Sequence, residues 1–205
     1  MQKFIAEELK TATSQVRILL LNAMAGCSLK EFPTNWVGSV GNQLTTGDPA
    51  VQASALQLVR LRKITTLNTQ LTQLSNNTKA ESGLRMQAIG AILTSQPKVT
   101  AQQFNFLFDH LQSDKQAPLR QQAATVLSQA QLSEEQLLKI ATEYLPQADA
   151  FITPRLVPVF KGATNSDVGK ALAKTLRSST SLDSFDEEYL RSVFADYSAD
   201  VKPEV

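Results

Sequence analysis

Apolar residues recur with the period of an α-helix in three segments in the middle of the chain, 51–58, 84–91 and 119–126. In each segment an apolar residue is followed four positions later by alanine, and three positions after that by another small or apolar residue. This spacing places a narrow stripe on one face of a helix, and the alanine allows a neighbouring helix to approach closely. The repeat lengths of 33 and 35 residues fit units of two helices joined by turns.

The helices between these segments are marked by capping signals. Thr100 and Ser133 are each followed three positions later by a glutamine, Gln103 and Gln136, and apolar residues flank both motifs. This is the pattern of a capping box with a hydrophobic staple, and it predicts two helix starts that are 33 residues apart. Asp186 is predicted to cap a later helix in the same way, without the glutamine.

Two further stripes with helical spacing lie between the capping signals and the turns. They are Ile64, Leu67, Leu71 and Leu74, and Phe104, Leu107, Phe108 and Leu111. Residues typical of turns separate the helical stretches at 47–49, 75–78, 95–97, 113–114 and 162–165. Pro154 and Pro158 predict an irregular helix within residues 151–160. No run of alternating β-branched residues predicts a strand.

Together these patterns predict an all-α fold, a HEAT-like α-solenoid of about five stacked helix pairs in a right-handed superhelix. The fourth pair is expected to be irregular. The whole chain, residues 1–205, is predicted to form a single helical-repeat domain.

Composition and net charge exclude several classes of function. Hydrophobic residues make up 42% of the chain, which is enough for a core, and the net charge is +1. No bulk charge would therefore recruit nucleic acid or an acidic membrane. No apolar run approaches the ~20 residues of a membrane-spanning helix, so we expect a soluble chain without membrane insertion. The one compact basic cluster, Arg60, Arg62 and Lys63, is interpreted as a solvated rim.

Candidate chemistry is sparse. Cys27 is the only cysteine and His110 the only histidine. A zinc site needs about four suitable ligands, and a Cys–His pair would need a third group to orient it. His110 is instead expected to lie exposed near a helix end, where its cation suits the helix dipole. We therefore predict no catalytic, cofactor-binding or metal-binding residues, and no enzyme activity.

The remaining features also favour structural roles. Four glycines within helical patterns, Gly38, Gly41, Gly90 and Gly169, are predicted to allow close helix contact. The acidic cluster Asp183, Asp186, Glu187 and Glu188 lacks the spacing of a calcium loop and is predicted to lie at a helix N-terminus. Arg85 and Arg120 occupy the same repeat position and are expected to bond to the neighbouring unit.

Residues 17–27 resemble a lipoprotein signal that ends in Met-Ala-Gly-Cys. Glu7 and Glu8 are out of place in a basic leader, and Asn22 interrupts the apolar run. The interpretation favoured here is a buried helix with a small core cysteine. Lipid anchoring at Cys27 remains an alternative.

Several phrases occur in an order that resembles a known family. They are residues 32–37, 119–127, 132–137, 156–160, 167–172 and 190–201. They resemble the helical-repeat region of large planctomycete and verrucomicrobial haem-binding proteins, often labelled membrane-bound dehydrogenase-like. The resemblance extends from about Arg17 to Val201.

In that family a β-propeller precedes the helical repeats and a small c-type cytochrome domain follows them. The resemblance implies that this chain is an internal piece of a larger extracytoplasmic protein, in the periplasm or outside the cytoplasm. Its expected role is a rigid spacer or docking scaffold whose partners are other domains of the parent chain or another protein. The chain has no Cys-x-x-Cys-His, so no haem-binding residue carries over. The remaining alternative is a helical-repeat enzyme that acts on nucleic acid, although the charge of +1 argues against it.

Overall fold

The computed structural model describes residues 2–179 and 181–201. Within these residues the chain folds into twelve α-helices with short 3-10 and π-helical turns and no strand. The only pairing of the β type in this part of the chain is an isolated bridge between Lys98 and Gln131. The prediction of an all-α chain without a sheet is confirmed.

The helices divide into two compact units, the first ending at Pro97 and the second beginning at Lys98. The first unit contains α1 (Gln2–Thr11), α2 (Ser14–Gly26), α3 (Thr34–Thr46), α4 (Pro49–Arg62), α5 (Asn68–Asn76) and α6 (Ser82–Leu93). Helices that follow one another pack as pairs, α1 with α2, α3 with α4, and α5 with α6. The odd-numbered helices also pack in sequence, α1 on α3 and α3 on α5, and the even-numbered helices do the same, α2 on α4 and α4 on α6.

The second unit contains α7 (Ala101–Asp109), α8 (Ala117–Leu127), α9 (Glu134–Lys139), α10 (Thr153–Leu156), α11 (Ser166–Ser178) and α12 (Glu187–Val193). A π-helical turn, Ile140–Tyr144, continues α9, and a 3-10 turn, Val157–Phe160, continues α10. The irregular helix predicted around the two prolines is confirmed. The single domain predicted over residues 1–205 stays a prediction.

The predicted stripes face the core. In the first unit the stripe residues of α4 and α6 are all buried: Val51, Ala55, Leu58, Leu84, Ala88 and Ala91. In α8, Ala123 and Val126 are buried and Leu119 is half-buried. One boundary differs from the prediction, because Ile64 precedes the 3-10 turn Thr65–Leu67 and α5 begins only at Asn68.

The predicted caps are present. The Thr100 hydroxyl accepts a hydrogen bond from the backbone N–H of Gln103 at 3.2 Å. In return, the side-chain oxygen of Gln103 accepts from the backbone N–H of Thr100 at 3.0 Å. Ser133 and Gln136 repeat both bonds at 3.3 and 2.9 Å. Asp186 accepts from the Tyr189 amide at 2.6 Å. These bonds satisfy amides that have no partner inside their own helices.

Replacing Thr100 by alanine is expected to lower the free energy of unfolding by about 1 kcal/mol, because the cap bond to the Gln103 amide is lost. The same substitution at Thr72, which is exposed inside α5, is expected to be neutral or slightly stabilising, since alanine is the better helix former. Urea unfolding followed by circular dichroism compares the two variants. An equal loss in both would contradict a role for the cap.

The four helical glycines do not share one role. A methyl group at Gly41 would lie 2.9 Å from Leu67 Cδ2, and one at Gly169 would lie 2.6 Å from Tyr197 Cδ1. Gly90 is buried in α6. At Gly38 a methyl group would meet no atom within 4 Å, so the prediction of close helix contact is wrong for this residue.

A polar side chain recurs at one repeat position and bonds to the end of the preceding helix. Arg17 Nε donates to the Ala12 carbonyl at 2.8 Å. Gln52 Nε2 donates to the Leu44 carbonyl at 3.1 Å, and Arg85 Nε donates to the Ser75 carbonyl at 2.9 Å. Carbonyls at a helix C-terminus lack partners in their own helix, so these donors satisfy them.

The two arginines that the sequence singled out therefore differ. Arg85 bonds to the end of α5, in its own helix pair. Arg120 forms an ion pair at 3.3 Å with Asp149, which follows α9 in the chain. The ion pair of Arg120 fits the predicted contact with another part of the array, and for Arg85 that contact stays a prediction.

Replacing Gln52 by methionine is expected to cost about 1 kcal/mol of unfolding free energy, because the Leu44 carbonyl would lose its buried donor while the side-chain volume is nearly kept. Gln57, which is exposed on the same helix, provides the matched Gln→Met control and should change stability little. Thermal unfolding by circular dichroism distinguishes the two. A loss of stability confined to Gln57→Met would overturn the assignment.

Candidate functional site

Cys27 lies at the C-terminus of α2 and is half-buried. Its thiol donates to the Met24 carbonyl at 3.1 Å, while its own carbonyl accepts from Arg62 at 2.9 Å. The helix predicted within residues 17–27 is present and ends at Gly26, but only one side of it is buried, since Leu19 is 67% exposed. The description of Cys27 as a core residue is therefore only partly right. Nothing in this geometry tests lipid anchoring.

His110 lies at the C-terminus of α7, as predicted, but it is half-buried and not exposed. Its Nδ1 lies 2.8 Å from the Phe106 carbonyl, and its ring packs on the Phe106 ring with 4.5 Å between centroids. The carbonyl accepts from Nδ1, so this nitrogen carries the proton. Cys27 belongs to the first unit and His110 to the second.

Most residues of the acidic cluster near the C-terminus lie at the start of α12. Asp186 caps this helix, and Glu187 and Glu188 lie in its first turn, as predicted. Glu187 also pairs with Arg191 at 2.5 Å. Asp183 lies outside α12, in the 3-10 turn Leu182–Ser184. Among residues 2–179 and 181–201, no three His, Cys, Asp or Glu side chains are grouped so that they could hold a metal ion.

The basic cluster is only partly a solvated rim. Arg60 and Lys63 are exposed, and Lys63 ends α4 with a left-handed φ of 51°. Arg62 instead donates to the carbonyls of Cys27 and Leu29, at 2.9 and 2.6 Å, and its guanidinium lies 5.7 Å from the Phe32 ring centroid. The hydrogen bonds of Arg62 therefore connect the segment after α2 to the end of α4.

The perturbed tyrosines lie in the second unit. Burial raises the pKa of Tyr144 to about 12, and the nearby Asp149 carboxylate adds to the shift while Arg120 opposes it. Burial also raises the pKa of Tyr197 to about 12, and its hydroxyl donates to the Phe160 carbonyl at 3.3 Å. A phenol with a raised pKa stays protonated near neutral pH, so neither tyrosine is suited to act as a base there.

The most distinctive exposed feature is a stripe on α2, formed by Val16, Leu20 and Ala23, which we call the open stripe. Val16 is 40% exposed, Leu20 is half-buried and Ala23 is exposed. The stripe begins 35 residues before the buried stripe of α4 and has the same spacing. In this stripe leucine replaces the central alanine of the other three stripes, so it departs from their shared pattern.

An apolar cavity of about 500 Å³ adjoins the open stripe. Leu20 and Ala23 line it on one side, and Ile5, Met24 and Trp36 are among its other walls. Among the residues that the structure describes, no charged side chain lines this cavity. It is the kind of concave apolar surface that takes up an apolar group.

Comparison with known proteins adds no relative, since no family model, no curated protein and no solved structure matches the chain. Among the helices that the structure describes, none is both long enough and apolar enough to cross a membrane. The function is therefore argued from the packing of the helices and the surfaces that they present.

Proposed function

We propose that this chain is a non-catalytic scaffold, a HEAT-like α-solenoid that holds other protein segments in place. The observation that carries this proposal is the regular packing of the first unit. Each odd-numbered helix contacts the next odd-numbered one, and each even-numbered helix contacts the next even-numbered one. Stacked helix pairs in which every pair touches its neighbours produce this contact pattern.

The repeated side-chain bonds support the same proposal. Arg17, Gln52 and Arg85 are spaced by 35 and 33 residues, and each donates to the end of the preceding helix. The contact between α3 and α1 has a similar spacing, since Gln43 Nε2 donates to the Leu9 carbonyl at 2.9 Å and Ser39 Oγ to the Ala6 carbonyl at 3.1 Å. Such repetition argues for successive copies of one structural unit.

A role without catalysis is supported by the bonding of the two most reactive side chains. The Cys27 thiol and the His110 ring each bond to a backbone carbonyl of their own helix. The thiol proton of Cys27 is therefore directed at a backbone carbonyl and not at a base. The proposal therefore assigns binding, and not chemistry, to the chain.

The resemblance to haem-binding, dehydrogenase-like proteins favours a particular form of this role. In that form the chain is an extracytoplasmic spacer between a β-propeller and a c-type cytochrome domain, and its partners are those neighbouring domains. Fold alone does not specify function, so this part of the proposal depends on the resemblance.

Sequencing the natural reading frame on both sides of residues 1–205 is the first test. We expect a propeller before the chain and a Cys-x-x-Cys-His soon after it. The neighbouring domains are then expressed separately and titrated into the chain by calorimetry, where saturable binding is expected. A reading frame that starts at Met1 and stops after Val205 would contradict the spacer, and neighbours that do not bind would contradict docking.

A further inference from the structure

A second pocket, of about 610 Å³, lies between the start of α3 and the end of α4, and we call it the α3–α4 pocket. Its lining comes from residues 32–38 and 62–66, so both of its sides belong to the first unit. Its volume is typical of sites that take up a small molecule. Phe32, Val37 and Ile64 are among its walls, so a ligand finds apolar surface to pack against.

The charged residues that line this pocket are both cations, Arg62 and Lys63. Within the part of the chain that the structure describes, neither forms an ion pair. Glu31, which precedes Phe32 in the sequence, is exposed and is not among the described residues that line the pocket. The two positive charges are therefore left without a carboxylate partner among the described residues.

Arg62 is half-buried and still has N–H donors to offer. A guanidinium carries five of them, and Arg62 gives one to the Cys27 carbonyl and one to the Leu29 carbonyl. Its remaining donors have no partner among the described residues. A partly buried cation is costly when no anion offsets its charge, so this pocket favours an anionic ligand.

We infer that the α3–α4 pocket binds a small organic acid, that is, a carboxylate carried on an apolar or aromatic group. The carboxylate would accept from Arg62 and Lys63, in charge-assisted hydrogen bonds. Thr34, Thr65 and Thr66 also line the pocket and supply hydroxyl donors. An inorganic anion would leave the apolar walls without a partner. The site does not use the repeat register, so it does not depend on the scaffold role.

The probe is 3-phenylpropanoate, and its matched control is 3-phenylpropanamide, which has the same shape without the charge. Trp36 reports on binding, because its ring lies against the Phe32 ring with 5.5 Å between centroids. Titration of the full chain, followed by tryptophan fluorescence, is expected to show saturable binding with a Kd on the order of 1 mM, as befits so small a ligand. The amide and inorganic phosphate should each bind at least fivefold more weakly.

A variant at Gly38 tests the position of the ligand. Gly38 lines the pocket, and a methyl group there would meet no atom within 4 Å. Gly38→Leu should therefore fill the pocket and abolish binding, while leucine favours the helix more than glycine does and the fold survives. Because Trp36 also lines the apolar cavity beside α2, this variant separates the two pockets.

A second pair of variants tests the charge. Lys63→Asn removes one cation from the lining and should weaken binding at least threefold, and asparagine tolerates the left-handed φ of 51° at this position. Arg60→Gln is the control, since Arg60 is an exposed cation on the same helix that is not among the residues lining this pocket. It should change binding less than twofold. Circular dichroism of all three variants verifies folding.

Four outcomes would overturn the inference. An absence of saturable binding would remove the site, and equal binding of the amide would remove the role of the carboxylate. Phosphate that binds as tightly as 3-phenylpropanoate would leave a pair of cations without selectivity for an organic acid. Binding that Gly38→Leu leaves unchanged would place the ligand elsewhere, in the apolar cavity beside α2.

Discussion

Replacing Phe160 by alanine is expected to lower the free energy of unfolding by about 3–5 kcal/mol, the usual cost of removing a large aromatic side chain from a core. Phe160 has no exposed surface, and the 3-10 turn that carries it packs against α12. Pro158, within the same turn, restricts how far the backbone can collapse into the space left behind. The part of the stability loss that comes from the empty cavity should therefore remain close to its full size.

The aromatic residues of the chain allow each unit to be followed separately. Trp36, the only tryptophan, lies in the first unit, whereas Tyr144, Tyr189 and Tyr197, the only tyrosines, lie in the second. Urea unfolding followed by tryptophan fluorescence and by tyrosine absorbance thus reports on both units. We expect Phe160→Ala to shift the tyrosine transition to lower urea.

The control is Phe151→Ala, at a residue that is 77% exposed, and it should change stability by about 0.5 kcal/mol or less. A Phe160→Ala variant as stable as this control would contradict the assignment of Phe160 to the core. The tryptophan transition tests the predicted single domain. If residues 1–205 unfold as one cooperative domain, it shifts together with the tyrosine transition, and otherwise it stays in place.

The sequence was most informative where local chemistry decides structure. The capping boxes at Thr100 and Ser133 could be predicted because both bonds join residues three apart in the chain. The apolar stripe of α4 could be predicted because helical spacing repeats within eight residues. Such signals need no knowledge of distant parts of the chain.

Distant partners could not be predicted in the same way. The sequence predicts that Arg62 belongs to a solvated rim, but Arg62 bonds to carbonyls more than thirty residues earlier. Arg85 and Arg120 share a repeat position, but Arg85 bonds to the end of a helix and Arg120 to the Asp149 carboxylate. The exposure of the open stripe could not be predicted for a related reason, because its helical spacing is the same as that of the buried stripe of α4.

Gly38 and Gly169 show most directly that contacts with distant residues cannot be predicted from local sequence. The same substitution is expected to have opposite effects at the two positions. Both glycines lie inside helices, α3 and α11, where alanine is intrinsically favoured by about 1 kcal/mol. At Gly38 a methyl group meets open space, so Gly38→Ala should stabilise the chain by about 0.5–1 kcal/mol.

At Gly169 a methyl group would lie 2.6 Å from Tyr197 Cδ1 and 2.8 Å from Val201 Cγ1. Both side chains are buried, and the Tyr197 hydroxyl is bonded to the Phe160 carbonyl, so neither can move away freely. Gly169→Ala should therefore destabilise the chain by about 1–3 kcal/mol, the usual cost of overpacking a core. Urea midpoints of the two variants measure the contrast. A stabilising Gly169→Ala would show that the segment after α12 yields to α11, and that the contact with Tyr197 does not hold it in place.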